Sequence, residues 1–134
     1  MASIGEVQGI DAKSATRLRK AGVRTTEGLL RRAATRSGRT SLAGETGLVA
    51  ADLLRWAHHA DLMRVKGIGA EYAHLLDGAG AGTLRDLRRR NARSLAAKMS
   101  EVNEDRRVVR RLPTEGMVAA WLEHAQRLDP QVRS

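Results

Sequence analysis

The stretch Val65-Lys66-Gly67-Ile68-Gly69-Ala70-Glu71-Tyr72-Ala73-His74-Leu75-Leu76-Asp77-Gly78-Ala79-Gly80 decides the predicted fold. Two glycines flank the apolar Ile68, which is typical of a tight turn whose isoleucine enters the core. Apolar residues at helical spacing follow, and Gly80 stands where a glycine ends a helix. Thr83, with Asp86 three residues later, resembles a capping box that begins another helix. The stretch therefore predicts two short helices joined by glycine turns.

This pattern resembles the helix-hairpin-helix superfamily, whose members carry a hydrophobic-x-Gly-Ile-Gly turn, helical Ala and Leu, and a Gly-hydrophobic-x-Thr step. The resemblance implies a nucleic-acid-binding hairpin. Backbone N–H groups of residues 67–70 would hold a phosphate oxygen at a helix N-terminus, with Arg64 and Lys66 alongside. It also implies that hairpin carbonyls can hold a monovalent cation; no other cofactor is expected.

A near copy of the hairpin lies 58 residues earlier in the chain. Among the identities at this offset, seven pair Gly9, Ile10, Ala15, Leu18, Gly22, Thr25 and Leu29 with Gly67, Ile68, Ala73, Leu76, Gly80, Thr83 and Leu87. A Trp-x-x-His-Ala frame also recurs, at residues 56–60 and 121–125. We predict an internal duplication, with repeats at 1–62 and 63–134 packed as one helical body and seven residues gained in the connector 101–113.

The first copy departs from the superfamily pattern because Asp11 replaces the second glycine of the turn. A carboxylate there would repel a phosphate, whereas aspartate suits the N-cap of the following helix. We expect the first hairpin, including Gly9 and Lys13, to be the weaker phosphate binder.

Composition predicts an all-α protein and limits its chemistry. The 134 residues include no Phe and no Cys, so a disulfide framework, a thiolate nucleophile and Cys-ligated zinc are excluded. Neither a signal-peptide segment nor a transmembrane-length apolar run appears, and we expect a cytoplasmic protein without membrane contact.

The net charge of +9 favours nucleic acid or an acidic protein as partner. The alternative is that the charge reflects an arginine-rich solvated surface encoded by a GC-rich genome.

A second basic region follows the central hairpin. Residues 85–111 contain ten Lys or Arg against four acids, and part of this set could follow a nucleic-acid backbone. Because helical spacing scatters neighbouring arginines around the axis, a solvated face remains the alternative. The candidate nucleic-acid-binding residues are Arg64, Lys66, Gly67, Ile68, Gly69, Ala70, Gly9, Lys13, Arg88, Arg89 and Arg93.

The sequence gives little support for catalysis. The four histidines lack metal-site spacing, and those of the Trp-x-x-His-Ala frame fit a structural role, such as capping a helix end. Tyr72 and two tryptophans expected in the core are few stacking platforms, so duplex DNA is preferred to single strands. We expect a non-enzymatic, largely sequence-independent nucleic-acid-binding protein. The alternative is a helical protein-interaction or scaffold module whose hairpins only pack.

Local patterns also predict element boundaries outside the hairpins. Residues 36–39 are expected to form a turn, followed by a short helix over 41–46 and a longer one over 49–63. Ser94 and Thr114 are expected as helix N-caps. Residues 131–134 are expected to be frayed.

Overall fold

A computed structural model describes residues 2–133, so Met1 and Ser134, which the repeat assignment includes, lie outside the described residues. Within this range the chain contains a 3-10 helix, Ile4–Glu6, and no strand beyond an isolated bridge between Ser3 and Thr25. The predicted all-α class is confirmed by the eight α-helices of the described part of the chain: α1 (Ala12–Lys20), α2 (Thr26–Ala33), α3 (Arg36–Thr46), α4 (Ala50–Leu62), α5 (Ala70–Gly78), α6 (Leu84–Arg88), α7 (Ala92–Arg106) and α8 (Glu115–Ala125).

The chain divides into two compact units. The first unit runs to Asp61 and resumes at Gln131, and the second unit is Leu62–Pro130. Each unit contains one glycine hairpin and one helix with the Trp-x-x-His-Ala frame. Their assignment as repeats stays a prediction.

The C-terminal segment is tied to the first unit. The backbone N–H of Gln131 donates to the carboxylate of the buried Asp61 at 3.0 Å, and the N–H of Arg133 donates to the Ala34 carbonyl at 2.8 Å. Val132 between them is 8% exposed. The prediction of fraying is therefore wrong for residues 131–133, because backbone hydrogen bonds to distant residues hold a segment whose own sequence gives no sign of them.

The predicted turn at residues 36–39 is also wrong, because these residues form the first turn of α3. Thr35 caps that helix by accepting a hydrogen bond from the Gly38 N–H at 3.1 Å. Arg39 is buried, and its guanidinium donates to the carbonyls of Ala33 at 2.9 Å and Arg133 at 2.7 Å. The cation thus joins the C-terminal end of α2 to the C-terminal segment.

Most of the local capping predictions are confirmed. Asp11 accepts from the Ser14 N–H at 2.7 Å, and the hydroxyls of Thr83 and Thr114 accept from N–H groups three residues on, at 3.0 and 3.1 Å. Ser94 is not the cap, because Asn91 is the N-cap of α7 and its side chain accepts from the Ser94 N–H at 3.2 Å. Residues 101–106 of the predicted connector 101–113 are helical, since α7 continues to residue 106.

The core of the second unit forms beneath its hairpin. It is built from buried aliphatic side chains with a single buried tryptophan, Trp121, on α8. Ile68 is 4% exposed and belongs to this cluster, as predicted from its position between two glycines. Packing of the turn residue into the core fixes where the hairpin backbone lies.

Candidate nucleic-acid interface

The two glycines of the second hairpin have different backbone conformations. Gly67 has φ +95°, a left-handed conformation that side chains other than glycine rarely adopt, while the Ile68 N–H closes the turn on the Val65 carbonyl at 3.1 Å. Gly69 has φ −90° and ψ −174°, an extended conformation open to any residue, and is the N-cap of α5. The two glycines are therefore present for different physical reasons.

Helix α8 supports the hairpin through its tryptophan and histidine. A Cβ built on Gly67 would lie 2.8 Å from Nε1 of Trp121, so packing as well as backbone conformation requires glycine there. Nδ1 of His124 accepts a hydrogen bond from the Lys66 N–H at 2.9 Å. That N–H is consequently satisfied by the protein, and the histidine has the structural role expected of it, although it caps a turn rather than a helix end.

The N-terminus of α5 has no side-chain cap. Gly69 supplies no acceptor, so the first-turn N–H groups of residues 70–72 are left without one from the N-cap residue. Six other described helices, α1, α2, α3, α6, α7 and α8, each have an Asp, Thr or Asn cap that accepts a backbone hydrogen bond. Apart from Gly69 and its two chain neighbours, no described residue has an atom within 4 Å of a Cβ built on Gly69, so the space beside this helix end is open.

The first hairpin has the same turn with a different helix start. Gly9 has φ +92°, and a Cβ built on it would lie 3.4 Å from Nε1 of the buried Trp56. Asp11 occupies the N-cap, and the hydrogen bond from the Ser14 backbone N–H lowers the pKa of its carboxyl below the ordinary 3.8. A carboxylate therefore stands where the second hairpin has open space. Lys13 is exposed on α1 nearby in sequence.

The charges around the second hairpin are mixed. Lys66 is exposed beside the turn and forms no ion pair with any residue in the range 2–133. Arg64 instead donates to the Asp129 carbonyl at 3.0 Å, so it is engaged by the segment after α8. Glu71 adds a carboxylate to the first turn of α5, and Ala70 begins that helix. Of the two predicted flanking cations, Arg64 thus donates to a backbone carbonyl and Lys66 forms no ion pair within residues 2–133.

A cleft of about 630 Å³ opens between the hairpin and α8. Its lining includes Lys66 and Gly67 from the turn and Trp121, His124 and Arg127 from α8 and its C-terminal end. Arg127 pairs with Glu123 at 3.1 Å. The cleft places Gly67 and the exposed Lys66 on one accessible surface.

The predicted basic residues after the second hairpin separate into two groups. Arg88 and Arg89 line a cleft of about 350 Å³ together with Arg85 and Gln126. Arg93 is exposed in the first turn of α7 and does not line that cleft. Sequence inspection misses Gln126, since it follows α8 in the chain and carries no motif that would link it to α6.

Tyr72 is engaged in packing rather than presented as a stacking platform. Its hydroxyl donates to the Arg111 carbonyl at 2.9 Å, and its ring centroid lies 5.2 Å from that of Trp121. Trp56 and Trp121 are both buried, as predicted.

Over residues 2–133 no cluster of three or more His, Cys, Asp or Glu side chains has the arrangement that holds a metal ion.

The fold and the second hairpin define an all-helical protein in which a glycine turn packs against Trp121 of α8. Over residues 8–128 the chain matches the family described as a domain of unknown function, DUF4332, and it belongs to that family. Neither curated proteins nor solved structures gave a significant match. No helix within residues 2–133 combines the length and the apolar character that a membrane crossing requires.

Proposed function

We propose that this protein is a non-enzymatic, cytoplasmic nucleic-acid-binding protein that contacts duplex DNA backbone phosphates with little dependence on sequence. The observation that carries the proposal is the uncapped start of α5 at Gly69, with open space where a side chain would be. Free N–H groups and the positive end of a helix dipole favour an anion at such a position. A phosphate oxygen would supply the missing acceptor.

Charge supports the same proposal. Lys66 is exposed next to the turn and has no ion-pair partner among the described residues, so it can approach a phosphate without first breaking a contact. The overall charge of +9 attracts a polyanion at long range. Glu71 acts against binding, which makes the hairpin a modest contact that needs help from the basic surface.

The assignment of both units as helix-hairpin-helix repeats belongs to the proposal. Its support is the correspondence of local geometry: Gly9 and Gly67 have φ of +92° and +95°, and Gly22 and Gly80 have φ of +88° and +83°. Each first glycine also lies against the Nε1 of a tryptophan from its own unit. We infer a duplication after which the two hairpins diverged at the N-cap position. Either the first hairpin lost a phosphate site when it acquired Asp11, or the second gained one when it acquired Gly69.

The test exchanges the two N-cap residues. Gly69→Asp gives the second hairpin the cap of the first, and Asp11→Gly does the reverse. We expect Gly69→Asp to fold with equal or greater stability, because aspartate is at least as good an N-cap as glycine, while its duplex affinity falls about tenfold or more. Gly69→Ser adds a cap without a charge and should show part of the loss. Asp11→Gly should lose stability and keep or gain affinity.

The matched control is Gly44→Asp, which adds the same charge at an open, exposed position on α3. Binding is measured by fluorescence anisotropy with duplex and single-stranded oligonucleotides at about 50 and 200 mM salt. The slope of log affinity against log salt concentration should be steeper for the wild type than for Gly69→Asp, by about one. A folded Gly69→Asp variant that binds duplex as well as Gly44→Asp would overturn the hairpin mechanism.

The second candidate function is a protein-interaction or scaffold module. It is favoured by the contact of Trp121 with Gly67, because packing alone accounts for that glycine. This function predicts an acidic partner that remains bound after nuclease treatment. It also predicts no binding of duplex by the wild-type protein at the lower salt concentration.

A further inference from the structure

Three arginines and one glutamine surround a cleft in the second unit that is separate from the hairpin turn. The cleft has a volume of about 350 Å³ and is lined by Arg85, Arg88, Arg89 and Gln126. Its lining contains no carboxylate. Asp86 is exposed on the same short helix but is not part of the lining. The side chains around this cleft therefore offer hydrogen-bond donors and positive charge with little to neutralise them.

Arg88 has a donor that the protein leaves unused. Its Nε is buried and has no hydrogen-bond partner. A buried donor without an acceptor is unfavourable, and in native proteins such a group usually has one from the protein, from water or from a ligand. Arg88 lines the cleft, so this N–H belongs to a side chain that a ligand in the cleft can contact.

The end of α8 holds Arg88 in place. The side-chain amide of Gln126 donates to the Arg88 carbonyl at 2.7 Å, which joins the C-terminal ends of α6 and α8. By contrast, Arg90 donates to the Gly80 carbonyl at 2.6 Å and is occupied within the fold. Gln126 is thus a positioning residue, and the three cleft arginines are those left for a ligand.

Electrostatics favours an anion in this cleft. Arg85, Arg88 and Arg89 form no ion pair with any side chain in residues 2–133. Guanidinium groups that share one cleft repel each other, and a bound anion converts that repulsion into attraction. The planar guanidinium fork matches the oxygens of a phosphoryl group better than it matches a monatomic anion.

We propose that the cleft of Arg85, Arg88, Arg89 and Gln126 is a binding site for a phosphoryl group, with the Arg88 Nε–H as its buried donor. Two sources can supply this chemistry, a backbone phosphate of nucleic acid or a free phosphorylated molecule. As a second contact to duplex DNA the site rests on the proposed function. As an anion site it stands on its own geometry.

The first experiment uses inorganic phosphate and pyrophosphate with the full chain. Arginine Nε–H resonances are followed by NMR during titration, and the buried Arg88 signal is expected to shift in a saturable manner. Chloride at equal ionic strength is the control. An Arg88 resonance that responds no more to phosphate than to chloride would overturn the site, whatever the result of the Gly69 test.

The second experiment compares matched charge changes. Arg85→Gln/Arg89→Gln removes two exposed cleft cations, and Arg110→Gln/Arg111→Gln removes two exposed cations elsewhere in the same unit. We expect the cleft variant to lose phosphate binding about tenfold and the control to keep it. Arg88→Gln should show the same loss, and the exposed pair keeps the test valid if Arg88→Gln does not fold. Equal behaviour of the cleft and control pairs would overturn the proposal.

Duplex DNA separates the two sources. If the cleft pair loses duplex affinity and lowers the salt slope by about two while the control pair does not, the site takes a backbone phosphate. If phosphate shifts Arg88 but wild-type protein binds no duplex, the site takes a free phosphorylated molecule and the proposed function fails. If Gly69→Asp loses duplex affinity but phosphate does not shift the Arg88 resonance, the proposed function stands and the cleft is not a phosphoryl site.

Discussion

The backbone N–H of Lys66 donates a hydrogen bond to Nδ1 of His124 at 2.9 Å. This bond joins the hairpin turn to the last turn of α8, next to the place where Trp121 packs against Gly67. The conformation of the candidate phosphate site therefore depends on a helix far away in sequence. Loosening α8 should disturb the turn even though no residue of the turn is changed.

Replacing His124 with alanine should destabilise the second unit. The Lys66 N–H loses its acceptor, and we expect a loss of about 1 kcal/mol in the free energy of unfolding, the usual net value of one hydrogen bond. Urea denaturation measures the loss, and hydrogen exchange of the Lys66 amide should accelerate. His124→Asn keeps an acceptor and should recover part of the stability. Glu123→Ala, one residue away, removes only an exposed ion pair with Arg127 and is the control.

The two glycines of the second turn should respond differently to alanine. Gly67→Ala forces a left-handed conformation and a contact with Trp121, so we expect a loss of about 2 kcal/mol or more in the free energy of unfolding. Gly69→Ala meets open space at a permitted φ and should change stability by less than about 1 kcal/mol in either direction. Thermal denaturation distinguishes them, and equal losses would contradict this account of the turn.

Asp11 should make the free energy of unfolding vary with pH in the acidic range. Its folded pKa is lowered mainly by the hydrogen bond from the Ser14 N–H, so its contribution is present above the unfolded pKa of 3.8. The contribution is lost as pH falls through the lower folded value. Asp11→Asn keeps a capping side chain but does not titrate. The stability difference between wild type and Asp11→Asn should shrink as pH is lowered between about 5 and 2, and a constant difference would contradict the assignment.

Arg39 should be among the most sensitive residues of the first unit. Arg39→Met leaves the carbonyls of Ala33 and Arg133 without their charged donor, and we expect a loss of about 3 kcal/mol, since hydrogen bonds to charged groups are worth ~1.5–3 kcal/mol each and do not add fully. Arg36→Met, on the exposed face of the same helix, should change little. Urea denaturation of both variants makes the comparison.

Much of the fold can be predicted from the sequence because its signals are local. An N-cap side chain and the backbone N–H that donates to it lie three residues apart, as for Asp11 and Thr114, and a left-handed glycine such as Gly80 ends its helix within two residues. The first turn of α3 escapes such a prediction because Gly38 and its neighbours favour a turn, whereas a distant acceptor stabilises the helix. That acceptor is the Arg133 carbonyl, far along the chain, which Arg39 contacts.

The candidate site can be predicted only in part. The turn glycines and Lys66 are identifiable from spacing, but their division of roles is not, since it depends on Trp121 filling the space beside Gly67 and not beside Gly69. Arg64 is predicted beside the phosphate, and its hydrogen bond to the Asp129 carbonyl cannot be predicted from spacing. The cleft of Arg85, Arg88, Arg89 and Gln126 joins two helices distant in sequence, and the amino-acid order alone gives no sign of it.

The hydrogen bond from Gln131 to Asp61 has a consequence for the order of folding. During translation, the ribosome completes the second unit before it adds Gln131, Val132 and Arg133, which make hydrogen bonds and core contacts in the first unit. The first unit therefore leaves the ribosome first but completes its hydrogen bonds last, because Arg39 has no Arg133 carbonyl to donate to until then. A nascent chain halted shortly after residue 61 should remain protease-sensitive around α3, and release of the full chain should remove that sensitivity.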